Sequence, residues 1–402
     1  MVTIKGYWED AYIREFTAKI IAIKPHGIIL DKTYFHPSGG NQPGDTGLIK
    51  SLDGTRTISI IDTCYENDEI IHVFRDESLF QAKEQIKGVL NWERRYALMR
   101  AHTSQHVLSS IFNLQYGLQT TNALILPHDV TIYLSNSLSS TDLKQSLLAA
   151  LEICCEPTKS YQVVTHILPR EKALDLYTDR VRGNIPEKNS IRLVKIGHKD
   201  INCCSGTHVK NTNEIGPFSI ISFKGSEIRY HTGPAGLNEL TSNSLEALNI
   251  RQILSGASGS LITHFRRLKD DRDQKKMQLE QLAPIIMKNA INEAINITNG
   301  VLILMDASFV SRKFFMSLLG DIPSNALIAS IVAGPALFLY SNIESLSAKE
   351  YMKLFCEKTG AKGGGNPRQA QGAVKGIENP LNILKNIIIE KVGTSSNLTA
   401  EE

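Results

Sequence analysis

Three observations predict an α+β protein of several domains. Runs of β-branched residues broken by glycine, proline and aspartate dominate residues 1–90, a helical period takes over at Asn91, and strand-like and helical segments alternate beyond residue 298. At 402 residues the chain exceeds one ordinary compact domain. The expected division is a β-rich, barrel-like subdomain over 1–90, an α+β core over 91–235, a helical linker over 236–297 and an α/β domain over 298–402. The final "GTSSNLTAEE" has the composition of a disordered tail.

In chain order, "TAKIIAIKPHGIIL" and "TRTISIIDT" read as strands. Between them "TYFHPSGGNQPGDTG", with four glycines and two prolines, reads as a structured loop. Asn91 is a helix cap, and Ala97, Leu98, Ala101, Val107, Leu108, Ile111 and Phe112 fall largely on one side of a helix predicted over 92–113. Residues 115–235 mix the strand-like runs "VTIYLS", "YQVVTHIL", "SIRLVKIG", "FSIISF" and "SEIRYHTG" with a helix near 141–154. From Leu237 to about Asn292 the leucine-spaced flanks of "RRLKDDRDQKKMQLEQL" predict long helices. "VLILMD" and "ALIASIVAGPALFLYS" then read as two strand-like runs around a helix.

Composition excludes some classes. The formal charge of +3 is the difference between 44 basic and 41 acidic residues, so any nucleic-acid contact depends on local patches. No apolar run reaches the roughly 18–20 residues of a membrane span, and "MVTIKGYWEDAY" lacks the order of a signal peptide, so a cytoplasmic protein without membrane contact is expected. Six cysteines, including the adjacent pairs Cys154–Cys155 and Cys203–Cys204, do not make a disulfide framework for so long a chain, which leaves a ligand role for at least one.

"RAHTSQHVLSSIF" places His102 and His106 four apart on the predicted helix, on one face and spaced for two ligands of one metal ion. An isolated pair is equally well a pair of helix-surface histidines. Thr103 stands where metalloproteases carry their glutamate, so a zinc peptidase is set aside. "INCCSGTHV" supplies a second pair, Cys204 and His208, completing a tetrahedral set for Zn2+. Cys203 competes with Cys204, but adjacent side chains of an extended segment face opposite ways, and Cys204 is chosen.

"WERRYALMRAHTSQHVL", "CCSGTHV" and "PSGGNQPGDTG", in that order, resemble the editing domain of alanyl-tRNA synthetases and their freestanding AlaX relatives. "KTGAKGGGNPRQAQGAVKG" is similar to the glycine-rich signature of the synthetase's C-terminal domain, also found in some phosphoesterases. Together they resemble the long AlaX form, without an aminoacylation domain. Two departures stand out: Ser205 and Gly206 replace the usual two glycines, and Asn41 is inserted in what is normally GGQPGDTG.

The resemblance implies a zinc-dependent hydrolase that deacylates alanine tRNA carrying serine, with glycine a second target; whether the ion activates water or orients the substrate stays open. Thr33 and Gln42 are candidates for reading the amino acid or fixing the carbonyl, Thr33 being alternatively a turn cap. Gly39 and Gly40 let the backbone approach the substrate, with Arg94 and Arg100 flanking the acceptor end, whereas Trp92 reads better as core. His36 and His231 lie nearby in sequence, and neither is nominated as a general base. Lys362, Gly363, Gly364, Gly365 and Arg368 form a basic glycine loop suited to tRNA phosphates. A homodimer through linker and C-terminal domain is a further expectation. The alternative function is a zinc-containing tRNA-binding protein without turnover; a phosphoesterase is disfavoured because no DHH occurs.

Overall fold

The structure, a computed structural model, describes residues 3–75, 80–178, 180–254 and 260–393. Two compact units divide the chain, Met1–Ile253 and Leu254–Glu402. The fold is α+β, and all six cysteines are free.

The first unit begins with strands β1 (Ile4–Lys5), β2 (Glu15–Lys24), β3 (Gly27–Leu30), β4 (Lys32–Thr33), β5 (Gly47–Ser51), β6 (Thr57–Ile60), β7 (Asp62–Glu66), β8 (Glu69–Val73) and β9 (Gln85–Leu90). Seven of them form one sheet in the order β6-β5-β9-β2-β3-β8-β7, while β1 pairs with β4 in parallel. Alternation in β2 buries Phe16, Ala18 and Ile20 against Ile28, Leu30, Ile49 and Ile86, as a half-covered sheet requires. The expected barrel does not close. Its two edge strands, β6 and β7, follow one another end to end through Ile61, whose N–H bonds Val73 O, so they cannot lie side by side.

Helix α1 (Trp92–Tyr116) starts where Asn91 accepts a hydrogen bond from Arg94 N and stops at Gly117, whose φ of 66° suits a residue without Cβ. The sequence suggests one apolar side, yet every residue from Ala101 to Phe112 is buried, polar ones included. Their hydroxyls are satisfied locally: Thr103 donates to Met99 O, Ser104 to Ala101 O and Ser110 to Val107 O. Around it come β10 (Thr120–Leu126), β11 (Asp129–Leu134), α2 (Ser140–Cys155), β12 (Val163–Pro169), α3 (Arg170–Tyr177), β13 (Ser190–Ile196), β14 (Asp200–Cys203), β15 (Phe218–Lys224), β16 (Glu227–Thr232) and α4 (Gly233–Ile253). The sheets run β10-β11-β16-β15 and β12-β13-β14, all antiparallel. Leu98, Leu108 and Phe112 of α1 share a core with Ile125, Ile132 and Ile228 of the first sheet.

Helix α1 is anchored by Arg95, whose side chain is 0% exposed. Nε donates to both oxygens of Asp45 at 3.1 and 2.9 Å, Nη1 to Ala11 O at 2.9 Å, and Nη2 to Tyr34 O and Asp45. One guanidinium thus joins the helix, the end of the glycine loop and the N-terminal segment.

The second unit contains α5 (Leu261–Asn292), β17 (Ile295–Ile297), β18 (Gly300–Ala307), α6 (Arg312–Leu318), β19 (Ala326–Val332), β20 (Ala336–Ser341), α7 (Ala348–Thr359), β21 (Gly363–Gly365), β22 (Gln369–Ala373) and α8 (Pro380–Val392). Its sheet has the order β17-β18-β19-β20-β22-β21, with β18 and β19 parallel across α6. "ALIASIVAGPALFLYS", read as one strand-like run, is a hairpin of β19 and β20 that turns at Ala333 and Gly334, both with positive φ. Helices α7 and α8 cover Leu327 and Leu339 on one face, and α5 and α6 cover Ile303 and Ile328 on the other. The expected tail lies, from residue 394 on, outside the described residues. Among the described residues no helix is long and apolar enough to cross a membrane.

Two measurements check this packing. Replacing Arg95 by Met leaves the Asp45 charge buried without its partner, and urea unfolding should show a loss of about 3–5 kcal/mol. His72 is fully buried, and burial pushes its imidazole down to about 4. The unfolded chain therefore takes up that proton first, near the ordinary value of about 6.5. The stability contributed by neutral His72 is complete above that pH and is lost as the pH falls toward 4, by up to about 1.4 kcal/mol per unit. Urea midpoints compared at pH 7 and pH 5 should fall less in His72→Gln than in the wild type.

Candidate metal centre

His102 and His106 project from one face of α1 with ring centroids 5.3 Å apart, and the His208 ring stands 4.4 Å from the first and 4.8 Å from the second. Cys204 Sγ lies 3.4 Å from His102 Nε2 and 3.3 Å from His208 Nε2. The four donor atoms fall within 4.8 Å of one another. Tetrahedral zinc with nitrogen and sulfur ligands needs donor separations of roughly 3.3–3.8 Å, so small rotations of these side chains suffice.

The second nitrogen of each ring assigns its tautomer. His102 Nδ1 faces Gln42 Oε1 at 2.8 Å, and that amide is fixed by Gln42 Nε2 donating to Thr207 Oγ1 and by Thr207 N donating to Oε1. His106 Nδ1 faces Asp200 Oδ2 at 3.0 Å, and the carboxylate is held from behind by Arg182. His208 Nδ1 faces Thr103 Oγ1 at 3.1 Å; since that hydroxyl gives its proton to Met99 O, the ring must donate. All three rings thus carry the proton on Nδ1 and turn an Nε2 lone pair inward, the form a metal binds.

The charge balance suits a cation. Burial pushes the Cys204 thiol up, but the His102 and His208 imidazoles beside it bring it well below the usual value. Burial likewise works against the Asp200 carboxylate, and its bonds to His106 and Arg182 nevertheless hold it below the ordinary value. Burial pushes His208 down to about 3, so this ligand is neutral.

Local structure explains why Cys204 and not Cys203 joins the cluster. Strand β14 ends at Cys203, whose side chain packs with Ala173, Ile191 and Leu193, and the next residue points the other way. Arg192 Nη1 then clamps the turn, donating to Cys204 O and Gly206 O at 2.8 Å each. A Cβ on Gly206 would lie 2.2 Å from His102 Cε1 and 2.8 Å from Gln42 Oε1, so this glycine is required.

The glycine loop reaches the cluster through Gln42. Gly39 and Gln42 exchange backbone hydrogen bonds across Gly40 and Asn41, whose φ values of 61° and 64° are those of a two-residue turn with both positive. The inserted Asn41 is absorbed in that turn, and its carbonyl accepts from Ile125 N in β10. Gly40, Asn41, His102, His106, Arg182 and Cys204 line a cleft of about 260 Å³.

Other candidates are placed elsewhere. Thr33 is fully buried, and its hydroxyl accepts from Phe35 N and pairs with His72 Nε2 at 2.7 Å; His72 Nδ1 faces Ile28 O, so the Thr33 proton is committed to His72. It secures the root of the glycine loop. Arg94 donates to Gly44 O, and Arg100 donates to Glu214 O while lying over Tyr96, so both brace walls. Trp92 stacks on Tyr96. His36 is 1% exposed and burial pushes it down to about 3, while His231 lies on β16 opposite Asp129. In the second unit Gly363–Gly365 are not a loop but strand β21, paired with β22, with Lys362 and Arg368 exposed at either side. A side chain at Gly363 or Gly365 would collide with the Gln371 or Gln369 carbonyl.

Residues 191–230 match the model of the threonyl and alanyl tRNA synthetase second additional domain, and residues 9–94 match that of class II (A) tRNA synthetases. The chain is 28% identical to the alanyl-tRNA editing protein AlaX-L of Pyrococcus horikoshii over 387 residues, which cover 92% of this chain and 94% of that one. Its similarity to the editing protein thus runs over nearly the whole of both chains. The chain is also 30% identical to an alanine–tRNA ligase of Saccharolobus islandicus over 72% of its own length, and 27% identical to that of Methanocorpusculum labreanum over 92%. It spans about a third of the Saccharolobus ligase, 33%, and 41% of the other.

Sequence reasoning missed Asp200, Thr103, Thr207, Arg182 and Arg192 in this site. Their roles are tested by metal affinity. Asp200→Ala should weaken zinc binding about 10–100-fold in competition with a chelator, as loss of an outer carboxylate does. Gly206→Ala should weaken it more, and Ser205→Gly should leave it unchanged.

Proposed function

We propose that this chain hydrolyses the ester of mischarged alanine tRNA, with serine the main target and glycine a second, at a zinc ion held by His102, His106, Cys204 and His208. The observation that carries the reading is the convergence of three Nε2 lone pairs and one low-pKa thiol at the mouth of a cleft walled by the glycine loop. Zinc bound there supplies a positive charge that polarises an ester carbonyl. Gln42 holds His102 in its ligand tautomer, Gly40 leaves the backbone bare on the wall of the cleft, and Gly39 closes the turn behind it by pairing with Gln42. Arg94 and Arg100 keep the wall in place through Gly44 and Glu214.

A second site is needed on physical grounds. A pocket shaped for a methyl group cannot strongly reject an isostere that adds a hydroxyl, so a separate site sorts by hydrogen bonding instead. Polar groups that pair with a seryl hydroxyl stay unpaired when alanine enters, at about 1–3 kcal/mol for each. In this reading residues 1–90 carry the glycine loop, 91–235 the ligands, 236–297 a linker and 298–402 a domain that grips the tRNA through Lys362, Gly363, Gly364, Gly365 and Arg368. The protein acts in the cytoplasm, and a homodimer through linker and C-terminal domain belongs to the same proposal.

Purified protein should deacylate seryl- and glycyl-tRNA(Ala) while sparing alanyl-tRNA(Ala), and Cys204→Ala should fall to the rate of the unassisted ester. A variant as active as the wild type would remove the metal from the reaction. Tight tRNA binding with an intact ester would favour a binding protein without turnover.

A further inference from the structure

Beside the cleft lies a smaller cavity of about 160 Å³ that the deacylation reading leaves unused. It shares Cys203, Cys204 and Ser205 with the cleft, so it continues outward from the ligand loop, past Arg192 to Lys188, with Trp8 as a wall. Among the described residues no carboxylate lines it.

Arg192 is only 6% exposed. Nη1 is occupied by Cys204 O and Gly206 O, but Nε is buried without a hydrogen-bond partner, and among the described residues Nη2 makes no hydrogen bond either. Desolvation works against this guanidinium, which nonetheless keeps its charge at any ordinary pH. An arginine whose Nε–Nη2 edge is open offers two parallel N–H donors, the pattern that pairs with one oxyanion. A buried donor left unpaired is unfavourable. The neighbouring Trp8 ring is held by its own Nε1, which donates to Ser205 O at 3.3 Å, and Lys5 Nζ lies 4.7 Å from the ring centre. An open arginine edge, Lys188 and a fixed indole in one wall fit a phosphate and a base together.

We infer that this cavity is a nucleotide subsite, where the phosphate of a nucleotide at the acceptor end pairs with the Nε–Nη2 edge of Arg192 and its base lies against Trp8. The inference rests on the proposed deacylation for the identity of the RNA, but not for the chemistry of the subsite.

Trp8 and Trp92 are the two tryptophans, so Trp92→Phe isolates the Trp8 fluorescence. Titrating zinc-loaded Trp92→Phe protein with AMP should quench it saturably, and adenosine should bind about tenfold more weakly because the charged hydrogen bonds are lost. Adding Arg192→Lys should abolish the difference between the two while zinc content stays the same. Equal affinity for AMP and adenosine, or a difference that survives Arg192→Lys, overturns the subsite. Should Arg192→Lys lose its zinc, Trp8→Ala decides. That variant should raise KM for seryl-tRNA by about tenfold, the effect of one lost base–aromatic stack, with a smaller effect on kcat; an unchanged KM overturns the proposal. Phosphate-dependent AMP binding by a protein that leaves the seryl ester intact overturns deacylation alone, and the subsite stands.

Discussion

Three imidazoles present the same nitrogen to one point because each has its other nitrogen tied to an acceptor. A free neutral imidazole exchanges its proton between two nitrogens, so a cluster of untethered rings spends part of its time in forms that cannot ligate together. Here the acceptors are Gln42 Oε1, Asp200 Oδ2 and Thr103 Oγ1, and each is fixed in turn by Thr207, Arg182 or the Met99 carbonyl. The ligand set is therefore defined by a second ring of residues at least as much as by the four donors.

That second ring draws on three remote parts of the chain, and the fold works to keep them in register. Arg95 fastens α1 to Asp45 at the end of the glycine loop, which places Gln42 against His102. The β13–β14 hairpin brings Asp200 and Cys204 to the other side of the same helix, and Arg192 closes the turn between them and His208. A helix buried on every side is unfavourable unless its polar residues are satisfied, and the backbone bonds of Thr103, Ser104 and Ser110 meet that condition.

The sequence made visible whatever depends on short spacing. The start of α1, the strands of residues 115–235 and the four converging donors follow from local period or motif, and the alternation rule separates Cys204 from Cys203. What stayed hidden depends on partners distant in the chain. Asp200 sits in "GHKDIN", where aspartate reads as an ordinary turn residue, and only the folded hairpin shows it reaching His106. Thr103 was legible only as the absence of a glutamate. Arg94 and Arg100 looked like phosphate contacts because sequence gives charge and not direction; both point into the protein's own backbone. The glycines at 363–365 read as a phosphate-binding loop, whereas the missing side chains of Gly363 and Gly365 let β21 press against β22. The hairpin of β19 and β20 was read as one run because Ala333 gives no turn signal although it adopts positive φ.

The order of the donors along the chain has a consequence for biogenesis. During synthesis the glycine loop and both α1 histidines leave the ribosome well before Asp200, Cys204 and His208 exist, so the nascent chain passes through a stage with half a centre. Two paired imidazoles with no thiolate are a weak and unselective trap for transition metals. The last-made segment, not the helix, therefore sets the moment at which the four donors can come together.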